Sequence, residues 1–125
     1  MLIFALKCDR CAFQVSPTGG RYMYVFDAGG NRVVCPHPLE INTVERVTGM
    51  SCDAASEKGL VHYAIQALCL RCAEVFDAEY KRDEQLDARC PRCGAADARS
   101  VLDSAGTRCP QCREGTLQRD DIGVA

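Results

Sequence analysis

A chain of 125 residues with 47% hydrophobic residues, no tryptophan and 6% aromatic residues has the size of one domain or two very small ones. That supply of bulky side chains excludes a single large core. Fifteen basic against 17 acidic residues leave a formal charge of -2 with no basic run, which counts against a surface built for nucleic-acid phosphates.

In chain order, the opening Leu2, Phe4 and Leu6 alternate with Ile3 and Ala5 as a strand that runs into Cys8-Asp9-Arg10-Cys11. Ser16-Pro17-Thr18-Gly19-Gly20 reads as a turn, residues 21–26 as a strand, 27–31 as a hairpin loop and 32–34 as its return to Cys35. Ile41, Val44 and Val47 recur every three residues, predicting a short helix over 39–48. Residues 49–59 read as a linker with one helical turn begun by Ser51 or Asp53. From 60 to 68 the period becomes two, with Val61, Tyr63, Ile65 and Ala67 on one face and His62, Ala64 and Gln66 on the other. Cys69-Leu70-Arg71-Cys72, a strand over 75–80, a charged loop over 81–88 and Cys90-Pro91-Arg92-Cys93-Gly94 follow. A strand over 99–102, a turn over 103–106, Cys109-Pro110-Gln111-Cys112, a strand over 115–118 and a polar tail complete the chain.

Four Cys-x-x-Cys pairs carry the chemistry: Cys8/Cys11, Cys69/Cys72, Cys90/Cys93 and Cys109/Cys112. Two-residue spacing lets both thiolates of a pair face one point from a tight turn, and two such turns complete a tetrahedral zinc site. Four pairs therefore imply two zinc ions per chain with no pair left over. The same even cysteine count suits a disulfide framework in a secreted protein. Against that, MLIFALKC has no basic n-region and its apolar run stops at Lys7, too short for a secretion signal or a membrane span. The expected compartment is the cytoplasm, where paired thiols bind metal. Each four-thiolate zinc centre adds about -2, so the loaded chain would carry about -6.

Two pairings satisfy the ribbon window, since 17 residues separate Cys72 from Cys90 and 15 separate Cys93 from Cys109. In the nested one, Cys69/Cys72 join Cys90/Cys93, and Cys8/Cys11 close with Cys109/Cys112. In the sequential one, Cys8/Cys11 join Cys69/Cys72. The self-contained run from 60 to Gly94 favours nesting, because a knuckle often needs positive φ after its last cysteine. The fourth knuckle has Arg113 there, so a tighter or less regular turn is expected.

Residues 69–103, with Cys-x-x-Cys, Phe76 and Cys90-Pro91-x-Cys93-Gly94, resemble the zinc ribbon of FmdB-type regulatory proteins. The run from Cys90 to Leu117 is similar to members of the double zinc-ribbon group, and the whole arrangement resembles small bacterial zinc-ribbon proteins of uncharacterised role. The resemblance implies fold and metal. It does not carry a function, which such ribbons do not share.

Cys35, His37, Cys52 and His62 are the unpaired soft ligands and make a third site arithmetically possible. The plainer reading is two small buried cysteines and a solvent-facing strand histidine at 62. Glu74, Asp77, Glu79, Asp83, Glu84 and Asp87 read as a solvated ribbon face instead of acid/base catalysts. Arg71, Arg89, Arg92, Arg108 and Arg113 sit on or beside knuckles, either balancing thiolate charge or presenting a small binding edge. Tyr22, Tyr24 and Phe26 alternate on one strand face, as packing or as a stacking platform.

The expected fold is a small, metal-stabilised, mostly β protein of two zinc ribbons with a β-hairpin insert. Its expected parts are an N-terminal β segment (1–48), a linker (49–59), a central ribbon (60–103) and a C-terminal knuckle (104–125) packed on the first. The expected role is a non-enzymatic adaptor that binds another protein through a strand edge in 21–34 or 60–68. The alternatives are a nucleic-acid-associated accessory factor, which the charge disfavours, and a thiol-redox or metal-transfer protein.

Overall fold

Strands take 38% of the chain and helices 17%, so the protein is mostly β with minor helix. The computed structural model describes residues 2–18, 21–80, 86 and 88–124. The chain divides into two units, one formed by Met1–Gly20 with Ile65–Ala125 and the other by Arg21–Ala64.

The first unit is built on an antiparallel sheet of β1 (Leu2–Cys8), β2 (Gln14–Thr18) and a late strand, Leu117–Val124, with β1 central. The late strand pairs along the whole of β1, from Leu2 opposite Val124 to Cys8 opposite Leu117. Phe4 and Leu6 are buried from β1 beside Val15, Leu68, Val101, Cys109 and Leu117. The expected polar tail is therefore a strand to Val124, with Arg119 stacked 4.5 Å over the Phe4 ring and Lys7 paired to Asp120 at 3.2 Å. Its polar composition concealed it, because its partner lies at the other end of the chain. Ser16, Pro17 and Thr18, expected as a turn, lie in β2. Proline is tolerated there because β2 pairs only with β1 and so is an edge.

The second unit opens with a hairpin of β3 (Tyr22–Phe26) and β4 (Arg32–Cys35) in the register Met23–Cys35, Tyr24–Val34, Val25–Val33 and Phe26–Arg32. Asp27 organises the loop, accepting from the N–H groups of Gly29 and Asn31, both at 2.9 Å. The Asn31 N–H is the main reason its carboxyl titrates below the usual value. Helix α1 (Glu40–Thr48) ends at Gly49, whose φ of 73° lets its N–H reach Glu45 O. Its β-branched threonines are accommodated because Thr43 and Thr48 donate to the carbonyls of Leu39 and Val44. Helix α2 (Cys52–Glu57) is capped by Ser51, whose hydroxyl accepts from Ala54 N at 3.2 Å. Val25, Cys35, Val44 and Ala55 form this unit's buried core.

Strand β5 (His62–Cys69) begins in the second unit, where Tyr22, Met23 and Tyr24 of β3 pair with Ala64, Tyr63 and His62. In the first unit it neighbours β6 (Val75–Glu79), and Ala67, Leu68 and Cys69 pair with β7 (Ala98–Ser100). From Ala64 to Cys69 only Gln66 is not fully buried, so the two-residue period does not mark a wet face. The strand expected over 99–102 stops at Ser100, whose hydroxyl accepts from Asp103 N and turns the chain into a 3-10 helix, Val101–Ser104. The late strand Leu117–Val124 is β8. Most of the loop expected over 81–88 lies outside the described residues. Among the described residues, no helix is long and apolar enough to cross a membrane.

Candidate metal centres

In three knuckles the leading cysteine donates its N–H to the carbonyl five residues on: Cys8 to Phe13 at 3.0 Å, Cys69 to Glu74 at 2.8 Å and Cys90 to Ala95 at 3.0 Å. In the fourth, Cys109 reaches one residue further, to Gly115, at 2.8 Å. Ala73, Gly94 and Arg113 each follow a second cysteine, donate back to the leading cysteine's carbonyl and adopt φ of 70°, 75° and 62°. The left-handed turn is thus kept without glycine. The fourth knuckle is less regular because it is longer, and not because it is tighter.

These turns bring Cys8, Cys11, Cys109 and Cys112 together, and separately Cys69, Cys72, Cys90 and Cys93, with the sulfurs of each group within 4.8 Å of one another. This is the nested arrangement. All ten thiols are free. Across knuckles, Sγ–Sγ separations are 3.7 Å for Cys8–Cys112, Cys11–Cys109 and Cys69–Cys93, and 3.5 Å for Cys72–Cys90. A disulfide needs about 2.05 Å. A tetrahedral ion with metal–sulfur bonds of ~2.3 Å has sulfur–sulfur edges of ~3.8 Å, so both donor sets fit a metal ion.

Backbone N–H groups already face the thiolates of the first group. Arg10 N donates to Cys8 Sγ at 3.3 Å, Phe13 N to Cys11 at 3.4 Å, Gln111 N to Cys109 at 3.4 Å and Gly115 N to Cys112 at 3.3 Å. The N–H groups of Glu114 and Gly115 pull the Cys112 thiol down to about 7. Cys11 is pushed up to about 12: the Phe13 N–H opposes the shift, but desolvation and the thiols of Cys8, Cys109 and Cys112 outweigh it. The second group repeats the split. At Cys90 burial resists ionisation, yet the N–H groups of Cys93 and Arg92 bring it to about 7. Cys72 rises to about 12, desolvation and the thiols of Cys90, Cys69 and Cys93 outweighing the Glu74 N–H. Crowded thiols cannot all ionise until a cation joins them.

Gly115 was not singled out from the sequence. A Cβ there would collide with Cys8 Sγ and come within 2.8 Å of Asp9 Oδ1. Asp9 in turn clamps the two knuckles, accepting from Thr116 N at 2.8 Å and donating its own N–H to Thr116 O at 3.1 Å. The available signal was a glycine three residues past the last cysteine.

The other candidates disperse. Among the described residues, Cys35, His37, Cys52 and His62 join no group with metal-ligand geometry. Cys35 is buried in the core of the second unit with Cys52 packed against that core, and burial raises its pKa. His37 pairs with Glu40 at 2.8 Å. His62 is not a solvent-facing strand residue: it stacks on Tyr24 at 5.2 Å and meets Phe26 edge-on at 5.4 Å. Tyr24 is itself buried, with Arg32 Cζ 3.9 Å from its ring centre, so packing accounts for Tyr24, whereas Phe26 stays 46% exposed. Glu74 pairs with Arg92 at 3.7 Å, Asp77 and Glu79 lie on exposed positions of β6, and Asp83, Glu84 and Asp87 lie outside the described residues.

No family model, curated protein or solved structure matches this chain. The likeness to FmdB-type and double zinc ribbons therefore rests on the short motifs around the cysteine pairs alone.

Proposed function

We propose that this protein is a non-enzymatic adaptor in which two zinc ions staple the ribbon unit and the inserted unit, residues 21–64, carries the docking surface for another protein. The observation that carries the reading is where apolar surface is left in water. Among the described residues, the exposed large hydrophobic side chains are Phe26, Val34, Leu39, Ile41, Leu60, Tyr63 and Ile122, and all but Ile122 belong to the inserted unit. Clustered exposed apolar side chains mark interaction surfaces. The unit also ends in an open strand edge, β4, which pairs with β3 alone, whereas β5 has neighbours along both of its halves. Strand addition at β4 would supply main-chain hydrogen bonds, with Val34 (51% exposed) contributing side-chain contact.

Four thiolates saturate a tetrahedral ion and leave no position for water or substrate, which supports a structural role for the metal. Thiolate donors in a tetrahedron suit zinc.

The test is a nuclease-treated pull-down with zinc-loaded full-length bait, comparing wild type with Val34→Lys. Lysine on an exposed edge position discourages strand pairing without touching the core. A stoichiometric protein partner, recovered about tenfold less with Val34→Lys at unchanged zinc content, is the expected result. Recovery that disappears with nuclease, or that ignores the substitution, would sink the adaptor reading.

A further inference from the structure

The five knuckle arginines do not share one role. Arg89 donates to Gly94 O at 3.2 Å and Arg92 pairs with Glu74 at 3.7 Å, so both are occupied in holding the third knuckle. Arg71 of the second knuckle and Arg108 and Arg113, which flank the fourth, line one open cleft of about 330 Å³ in the ribbon unit, together with Leu70, Asp97 and Cys109. Among the described residues, no ion pair or hydrogen bond occupies any of these three guanidinium groups.

Compensation of thiolate charge does not explain them. Every thiolate of the first centre already accepts a backbone N–H, and no guanidinium donates to a sulfur among the described residues. Arg113 also occupies a left-handed position at φ 62°, where the third knuckle uses Gly94. Ala73 holds the matching position of the second knuckle at φ 70°, so a side chain is tolerated there at some strain.

We propose that this cleft binds a compact phosphate group, of the kind carried by a small diphosphate or phosphate monoester. Guanidinium forks match phosphate oxygens in bidentate pairs, and three arginines bordering one cleft from two knuckles suit one compact anion. A nucleic-acid backbone needs a track of positive charge, and the chain, at a net -2, has no basic run to provide one. The opposing charges are the Asp97 carboxylate and the four-cysteine centre that includes Cys109, which carries about -2 with zinc bound. They make binding modest and strongly dependent on salt.

The zinc-loaded full chain is titrated with sodium pyrophosphate at constant ionic strength, read by NMR on the arginine Nε–H signals. A parallel arm uses a short single-stranded oligonucleotide. Saturable shifts at Arg71, Arg108 and Arg113 but not at Arg89 or Arg92 are expected, with pyrophosphate the tighter ligand. Arg113→Gly relieves the left-handed strain, so it should melt at or above wild type and keep both metals while pyrophosphate affinity falls about tenfold. Arg108→Gln should lose a similar factor with the backbone untouched. Absence of saturable shifts, equal shifts at all five arginines, or tighter binding of the oligonucleotide would overturn the proposal. So would loss of metal in Arg113→Gly, which would make that arginine a partner of the thiolates.

Discussion

Gly115 shows how little freedom the first metal centre has. Its missing Cβ is the space that Cys8 Sγ occupies, and its N–H is one of the two that hold Cys112 Sγ. Gly115→Ala must displace a ligand sulfur or break the clamp between Asp9 and Thr116. The expected outcome is one zinc per chain by native mass spectrometry, against two expected for wild type, with the second group still loaded. Two fully bound zincs in the variant would show that the turn can relax. The thiols also set a pH dependence. In the metal-free groups Cys90 and Cys112 are ionised above about 7, whereas Cys11 and Cys72 keep their protons up to about 12. The metal-bound form has these ligands deprotonated, so acid favours the metal-free form. As pH falls through about 7, each centre must shed one further proton to take its ion, and zinc affinity should drop more steeply below that point than above it. Competition with a chromogenic chelator on either side of neutrality measures the slope, and an unchanged slope would contradict the assigned pair of low thiols.

Element by element, legibility followed the range of the interactions. The β3–β4 hairpin, α1 and the Ser51-capped turn were readable because their causes are local: an Asp27–Asn31 loop, a three-residue apolar period and a capping hydroxyl. β8 was read only at its start, Leu117 and Gln118, because Arg119 to Val124 become a strand only by pairing with β1. β5 was found as a strand, but its two-residue period could not show that both faces are covered. Neighbours on both sides bury it from Ala64 to Cys69 apart from Gln66, whose Oε1 is left without a hydrogen-bond partner among the described residues. The 3-10 helix at Val101 depends on one hydroxyl, that of Ser100, which a strand pattern conceals.

For the molecule as a whole, the two units differ in what holds them. The first contains all eight cysteines of the two groups, and its buried cluster includes the ligand Cys109 with Cys8, Cys11 and Cys112 packed against it. A metal held by these cysteines would be one structure with the core there, and structural zinc in small modules supplies on the order of 10 kcal/mol of folding free energy. The second unit has its own core of Val25, Cys35, Val44 and Ala55 and no cysteine of either group. Chelation should therefore abolish amide-exchange protection in β1, β7 and β8, while α1 loses less. Protection of β1 and β8 that survives complete zinc removal would show that the metal is an accessory to this fold.

The number of metal sites and the identity of their ligands follow from residue type and spacing, because two thiolates two residues apart can face one point without help from the rest of the chain. Spacing could not choose between the nested and the sequential pairing, since both satisfied the same window. Folding made that choice, by laying β8 along β1 so that the last knuckle arrives beside the first. The sorting of the arginines has the same origin. Arg71 joins Arg108 and Arg113 at one cleft only because the second and fourth knuckles meet in space, and convergence of distant turns has no period for a sequence to display.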